Sequence, residues 1–491
     1  MNEATAELER AYDAVPYLSD AFPQAHPDRL ATVATLLGLE PAHPARCRVL
    51  ELGCAAGGNL IPMAYGLPES EFIGIDLSAM QIEEGRRAIS DLGLKNIQLL
   101  HRDLAMIGDE FGQFDYVIAH GIWSWVPPDV REAMFALCRR LLRPDGVAYI
   151  SYNVLPGYFM FQMVRGIMQF HTRGLSEPLQ RVAEGRSFMG ALAGALEDDN
   201  YYGSFVKGYL AVRLAPDGKR HPGDAGISHD EMASINDPVY FWQFMEGAEA
   251  HGLQFLGEAR FETMFPKNVT PELSAELATS ARTIVAYEQY LDFLGNRGFR
   301  ETLLCQGEAP VSRKLSPERV RRLSATSFAR PVATDPDFAG PAIERFEAVN
   351  KAAFSSDHPL TKAAMLTLSR RAPRPLAFDD LVREALALLG RKDDGGDDVA
   401  LLAANLTQAY SYSPDLVSYS VHQALATYEV NERPIASRYA RYQASQGRGT
   451  VTSLRHDRVT VDRLEHEVLK RLDGEHDLEA VVDGAFGQLL A

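Results

Sequence analysis

Glu51, Asp76 and Asp103 are carboxylates that each follow a short apolar run. The first opens ELGCAAGGNL (Glu51–Leu60), where an apolar run gives way to small residues and then to a helix-compatible segment. Such a loop holds a nucleotide at a helix N-terminus. Two patterns overlap in it. Gly53-x-Ala55-x-x-Gly58 nearly spells a nicotinamide site, with Asp76 about 20 residues on. Glu51-x-Gly53-x-Ala55-x-Gly57 spells the E-x-G-x-A/G-x-G of an S-adenosylmethionine (SAM) site.

Charge separates the two. A dinucleotide brings a pyrophosphate, which a carboxylate beside the loop repels. SAM carries a sulfonium and an α-ammonium instead, and Glu51 attracts both. The glycines keep the backbone low enough for the methionyl part to cross it. Asp76, closing FIGID, can accept both ribose hydroxyls, and Asp103 with Leu104 can meet the adenine. Alone, Asp76 is equally suited to capping a helix and Asp103 to a turn. Together they place three acids at the carboxyl ends of three strands, where open α/β sheets bind ligands. SAM is the expected cofactor, with S-adenosylhomocysteine as product and no metal. Asn59, Leu77 and Gln81 are further expected contacts.

The methyl group is then expected near the fourth strand's end, in AHGIWSWVPPD. His120 could contact cofactor and either position or deprotonate an acceptor. Trp123 and Trp125 could wall a sulfonium by cation–π attraction, though packing is the commoner use of tryptophan. SYNVLPGY after the fifth strand offers Tyr152 and Asn153 for catalysis and Tyr158 for the acceptor.

These residues need a sheet to position them. CRVLELG, FIGID, NIQLL, YVIAHG and GVAYISY alternate with helical segments, the pattern of a parallel sheet covered on both faces. Ser78 and Gln81 suit a capping box, with Gly93 as the far cap. Pro127-Pro128 starts a helix burying Val130, Met134, Leu137 and Leu141, stopped at Pro144-Asp145-Gly146. Residues 155–228 read as a helical insertion, followed by helix, Gly252 and strand, and by a closing strand FRETLLC. The expected division is a methyltransferase domain over 1–305, in which the family resemblance described below implies a regulatory-type segment at 229–305. A linker at 306–340 and a mostly helical, winged-helix-like domain at 341–491 follow.

Composition narrows the partners. A formal charge of −17 over 491 residues argues against sequence-independent nucleic-acid or anionic-membrane binding. No apolar run reaches the ~18–20 residues of a membrane span. The polar N-terminus has no signal-peptide core. The four cysteines show no metal or disulfide spacing, so a reducing cytoplasm is expected.

YDAVPYLSDAFPQAHPDRLATVATLLGL, ELGCAAGGNLIPMA, FDYVIAHGIWSWVPPDVRE, GVAYISYNVLPGY and EQYLDFLGNRGFRETLLC resemble bacterial class I methyltransferases with a methyltransferase regulatory domain. The group includes the rickettsial outer-membrane-protein lysine methyltransferases. The resemblance is strong over about residues 10–305 and loose beyond. It implies a Rossmann-like fold and carries cofactor roles to Glu51, Gly53, Gly57, Asp76, Asp103, Leu104 and His120. FPQAHP matches a segment that folds over the cofactor, making Tyr17, Phe22 and His26 lid candidates; a buried N-terminal staple is an equal reading. Ala56 stands where the family has serine. The implied acceptor is a protein lysine. A small-molecule acceptor is the alternative, a SAM-binding regulatory scaffold a third reading, and a homodimer the expected assembly.

Overall fold

The computed structural model describes residues 13–15, 19–215, 223–266, 269–392, 396–423, 426 and 428–490. The apolar runs become strands β1 (Arg48–Leu52), β2 (Glu71–Asp76), β3 (Ile97–His101), β4 (Phe114–Ala119) and β5 (Leu142–Asn153). They are joined by β6 (Leu253–Glu258) and β7 (Phe299–Gln306) in the order β3-β2-β1-β4-β5-β7-β6. β1 to β5 are parallel, as the two-faced apolar runs require. β7 runs antiparallel to both β5 and β6, so the sheet is mixed.

Helices α1 (Pro27–Leu36), α2 (Leu60–Gly66), α3 (Ala79–Leu92) and α4 (Pro128–Leu141) accompany these strands. Ser78 Oγ accepts the Gln81 N–H at 3.3 Å, and Gly93 closes α3 at φ +66°. The reciprocal half of a capping box is not made: the Gln81 side chain lines a cavity above the sheet instead. α4 buries Val130, Met134, Leu137 and Leu141 as the spacing predicts. It ends at Leu141, because β5 already begins at Leu142.

The insertion folds as α5 (Phe159–His171), α6 (Pro178–Ala195), α7 (Tyr201–Tyr209) and α8 (Gly223–Asp230). Val164, Met168, Val182, Met189, Leu214 and Ile227 give it a core of its own. α9 (Phe241–Ala250), Gly252 at φ +75° and β6 follow as expected. The segment after β6 contributes α10 (Pro271–Ser280), α11 (Ile284–Gly295) and β7. Arg300 of β7 is buried, paired with Glu258, Glu288 and Asp292, and lies 3.9 Å from the Phe241 ring. One cation thus ties α9, α11, β6 and β7 together.

The stretch expected as a linker is structured. Val320, Leu323, Ala325 and Ala329 are buried in the core that includes the main sheet. Ser324–Thr326 pairs antiparallel with Ser418–Ser420. Helices Pro359–Arg371, Phe378–Leu388 and Gly396–Tyr412 join the same core, so 341–491 is not a body apart. Polar composition misled here because the buried residues are few and mostly small. The last unit has helices Arg438–Ser445, Arg463–Arg471 and Leu478–Leu490 around a hairpin, Thr450–Thr452 with Arg458–Thr460.

Candidate active site

A cavity of about 570 Å³ opens at the carboxyl ends of β1, β2 and β4, with insertion residues on its far wall. The Gly53 and Cys54 N–H groups both donate to Ile75 C=O, at 2.8 and 3.0 Å, so the loop turns sharply off β1. Gly53 sits at φ +71°, and a Cβ there would lie 2.6 Å from Ile122. Only glycine satisfies both demands. At Gly58 a Cβ would lie 2.2 Å from the Ser19 carbonyl oxygen, so the N-terminal segment crosses directly over the loop.

The acids occupy one side. Asp76 accepts the Ala55 N–H on Oδ2 and the Ser78 N–H on Oδ1, both at 2.8 Å. It therefore pins the loop and steadies the start of α3 while still lining the cavity. Glu51 is 2 % exposed; its Oε1 accepts from Asn59 Nδ2 at 2.6 Å, and its Oε2 has no partner. Burial, helped by the Asp76 charge and opposed by the Asn59 hydrogen bond, raises Glu51 to about 8. Gln81 Oε1 is a second buried acceptor without a partner. Two such atoms in one cavity call for donors, and an α-ammonium and ribose hydroxyls are donors of the right kind. Asp103 accepts the Ala105 N–H at 3.0 Å and lines the same cavity with Leu104.

At the end of β4, His120 stacks on Phe22 with ring centroids 3.6 Å apart. Its Nδ1 lies 2.7 Å from Tyr149 Oη, which donates to Glu301 Oε1 at 3.1 Å. Tyr149 spends its proton on Glu301, so His120 donates from Nδ1 and Nε2 is left as acceptor. Burial, with the nearby Arg260 charge, lowers His120 to about 3. The ring is neutral. On the insertion side, Glu231 accepts from Tyr209 Oη at 2.5 Å, and Arg213 pairs with both Asp230 and Glu231. Burial raises both carboxyls and Arg213 opposes it. Among the described residues, no three of His, Cys, Asp or Glu are grouped to hold a metal ion.

Known proteins resemble this chain in sequence and fold. Residues 49–146 match a methyltransferase domain, 223–306 a predicted methyltransferase regulatory domain, and 432–489 the PKMT C-terminal winged helix domain. The chain is 32% identical over 499 residues to the uncharacterized protein RP789 of Rickettsia prowazekii, covering 97% of this chain and 86% of that protein. The fold matches PKMT2 from Rickettsia typhi at TM-score 0.84, with 27% identity over 96% of this chain and 92% of that one. Against PKMT2 in complex with AdoHcy the TM-score is 0.85, with 27% identity over 97% and 92%. The chain is a SAM-dependent methyltransferase of this family. It belongs to the class I enzymes with a regulatory domain.

The methyltransferase cavity gathers most of the residues singled out in the sequence. Phe22, Glu51, Gly53, Ala55, Asn59, Asp76, Leu77, Gln81, Asp103, Leu104, His120, Trp125, Asn153 and Tyr158 line it. Gly57 shapes the loop from outside the lining, at φ +76°. Tyr152 is a correction: its hydroxyl pairs with Thr302 and its ring stacks on Phe244 at 4.0 Å, inside the core. Successive residues of β5 face opposite sides, so Asn153 reaches the cavity and Tyr152 does not. Trp123 likewise packs among Phe135, Tyr152 and Phe244, beneath the Arg131 guanidinium. His26 accepts the Asp28 N–H at the start of α1 and lies against His456, the staple rather than the lid. Tyr17 falls outside the described residues. Sequence reasoning missed Arg165, Tyr209, Arg213, Asp230, Glu231 and Phe299. Nothing in their local spacing marks them: packing of the insertion and the turn after it brings the first five here, and pairing of β7 with β5 sets Phe299 beside Asn153.

Proposed function

We propose that this methyltransferase transfers a methyl group from SAM to the side-chain amine of a lysine in a protein acceptor. The full-length likeness to PKMT2, through to the PKMT winged helix domain, carries the reading. The chemistry of the cavity supports it. When bound, SAM supplies a methyl group on positively charged sulfur, which an amine lone pair can attack in line. Glu51 would hold the α-ammonium, Asp76 the ribose hydroxyls, and Asp103 with Leu104 the adenine. Phe22 and His120, stacked together, close the methyl end against water.

A lysine ammonium, with an ordinary pKa of about 10.4, must lose a proton before it reacts. His120, held near 3, is too weak a base to keep that proton. We assign it a positioning role, with Nε2 accepting an amine N–H and aiming the lone pair. Asp230 and Glu231, raised by burial, are the acids on the acceptor side that can attract the ammonium and exchange protons. No helix among the described residues is long and apolar enough to cross a membrane. The four buried, unpaired cysteines fit a reaction in the cytoplasm.

The test is to incubate the enzyme with methyl-labelled SAM and a bacterial lysate, then hydrolyse the labelled protein in acid. Label recovered as methyl-lysine is the expected result. Label confined to small molecules, or lost from protein as a base-labile ester, contradicts a lysine acceptor.

A further inference from the structure

Asn59 joins three distant parts of the chain. Its Nδ2 donates to Glu51 Oε1 at 2.6 Å, and its Oδ1 accepts the Phe22 N–H at 2.9 Å. The same Oδ1 lies 2.8 Å from His456 Nε2. An amide oxygen only accepts, so His456 is the donor, as its Nε2–H tautomer. His456 is 3 % exposed and occupies the turn of the hairpin Thr450–Thr452/Arg458–Thr460 at φ +67°. A histidine in left-handed backbone is uncommon. Here that backbone carries the ring to Asn59.

Two neighbouring contacts act on the same N-terminal segment. Arg448 donates to the Ser19 carbonyl at 3.0 Å, and Arg458 pairs with Asp20 at 3.1 Å. Ser19 Oγ in turn accepts the Gly58 N–H of the cofactor loop at 2.7 Å. Arg438 ties the same C-terminal unit to the Asp91 and Leu92 carbonyls at the far end of α3, away from Asn59.

We propose that the winged-helix domain completes the cofactor site: His456, acting through Asn59, is a positioning residue that fixes the Glu51 carboxyl toward the cofactor. The inference rests on the reading that Glu51 meets SAM. Without the His456 donor, Asn59 Oδ1 keeps only the Phe22 N–H, and its hold on the Glu51 carboxyl is loosened. The C-terminal domain therefore sets cofactor affinity without touching the cofactor.

The experiment uses full-length His456→Ala, His456→Gln, Arg438→Ala and Glu51→Gln. It measures SAM Kd by calorimetry above pH 8, where the Glu51 carboxylate is ionised, together with KM and kcat in the lysate assay and thermal midpoints without SAM. His456→Ala should raise Kd and KM about tenfold, the value of one hydrogen bond, with kcat within about twofold. His456→Gln keeps an N–H donor and should return to within about threefold of the parent. Arg438→Ala should lower the midpoint while leaving Kd within about twofold. If His456→Ala does not fold, His456→Asn takes its place, because asparagine tolerates the left-handed backbone but is too short to reach. Unchanged Kd in the His456 variants overturns the inference. So does Arg438→Ala raising Kd as far as His456→Ala at an equal loss of midpoint. Should Glu51→Gln itself leave Kd unchanged, the cofactor role of Glu51 fails first.

Discussion

Backbone amides hold Asp76 and Asp103 on one side of the cavity, proposed above as the cofactor side, whereas side chains hold Asp230 and Glu231 on the other, the proposed acceptor side. Asp76 and Asp103 accept the N–H groups of Ala55, Ser78 and Ala105. Asp230 and Glu231 depend on the guanidinium of Arg213 and the hydroxyl of Tyr209. A backbone donor survives almost any substitution, but a side-chain clamp can be rebuilt by one. The insertion also carries its own small core, so it can change without disturbing the sheet. On the proposed function, one cavity thus combines a cofactor wall fixed by backbone with an acceptor wall that side-chain changes can retune.

The strongest way to break that contrast is Asp76→Ala. Losing the ribose partner and the loop pin together should weaken SAM at least hundredfold, about 3 kcal/mol, in a calorimetric titration. A change under fivefold removes Asp76 from the site. The two tryptophans sharpen the contrast next. Trp123→Ala empties a packed core position and should cost about 3–5 kcal/mol in chemical denaturation. Trp125→Ala, half-buried on the cavity wall, should leave stability nearly unchanged and raise acceptor KM several-fold.

Arg213→Ala leaves buried Glu231 and half-buried Asp230 without their paired guanidinium. It should cost about 2 kcal/mol of stability and about tenfold in acceptor kcat/KM, with SAM Kd within twofold. A matching loss of SAM affinity would mean the two walls are one unit.

Glu51→Gln gives the smallest effect at neutral pH. With its carboxyl near 8, Glu51 must lose a proton to meet a cation. Parental SAM affinity should therefore rise from pH 6 to about 8 and level off above, with proton release on binding. Glu51→Gln should lose that component of both the slope and the release, and fall furthest behind the parent above pH 8. Calorimetry in buffers of different ionisation enthalpy reads both.

That Glu51, Asp76 and Asp103 come together on one cavity wall was legible in the sequence because they sit at the ends of apolar runs. Each strand of a buried parallel sheet reads as a continuous apolar segment, so the polar residues at its carboxyl end are marked. Glu51, Asp76 and Asp103 needed no more than that. Tyr152 and Asn153 needed the side of β5 each faces, which an all-apolar strand hides, since alternation is lost when both faces are buried. The insertion was legible as helical, but Arg213, Asp230 and Glu231 look like ordinary surface charges until packing brings them to the cavity. His456 was beyond reach of local reading: its partner Asn59 lies 397 residues away. The stretch 306–340 failed for another reason. Small buried residues such as Ala325 and Ala329 leave no apolar run to notice among prolines, serines and arginines.

The separation of the two walls is tested most directly by SAM calorimetry on the double variant Asp230→Asn/Glu231→Gln, paired with its rate of methyl transfer to lysate protein. SAM should bind within threefold of the parental Kd while transfer falls at least tenfold. A loss of SAM binding as large as that of Asp76→Ala, or transfer at the parental rate, would contradict it.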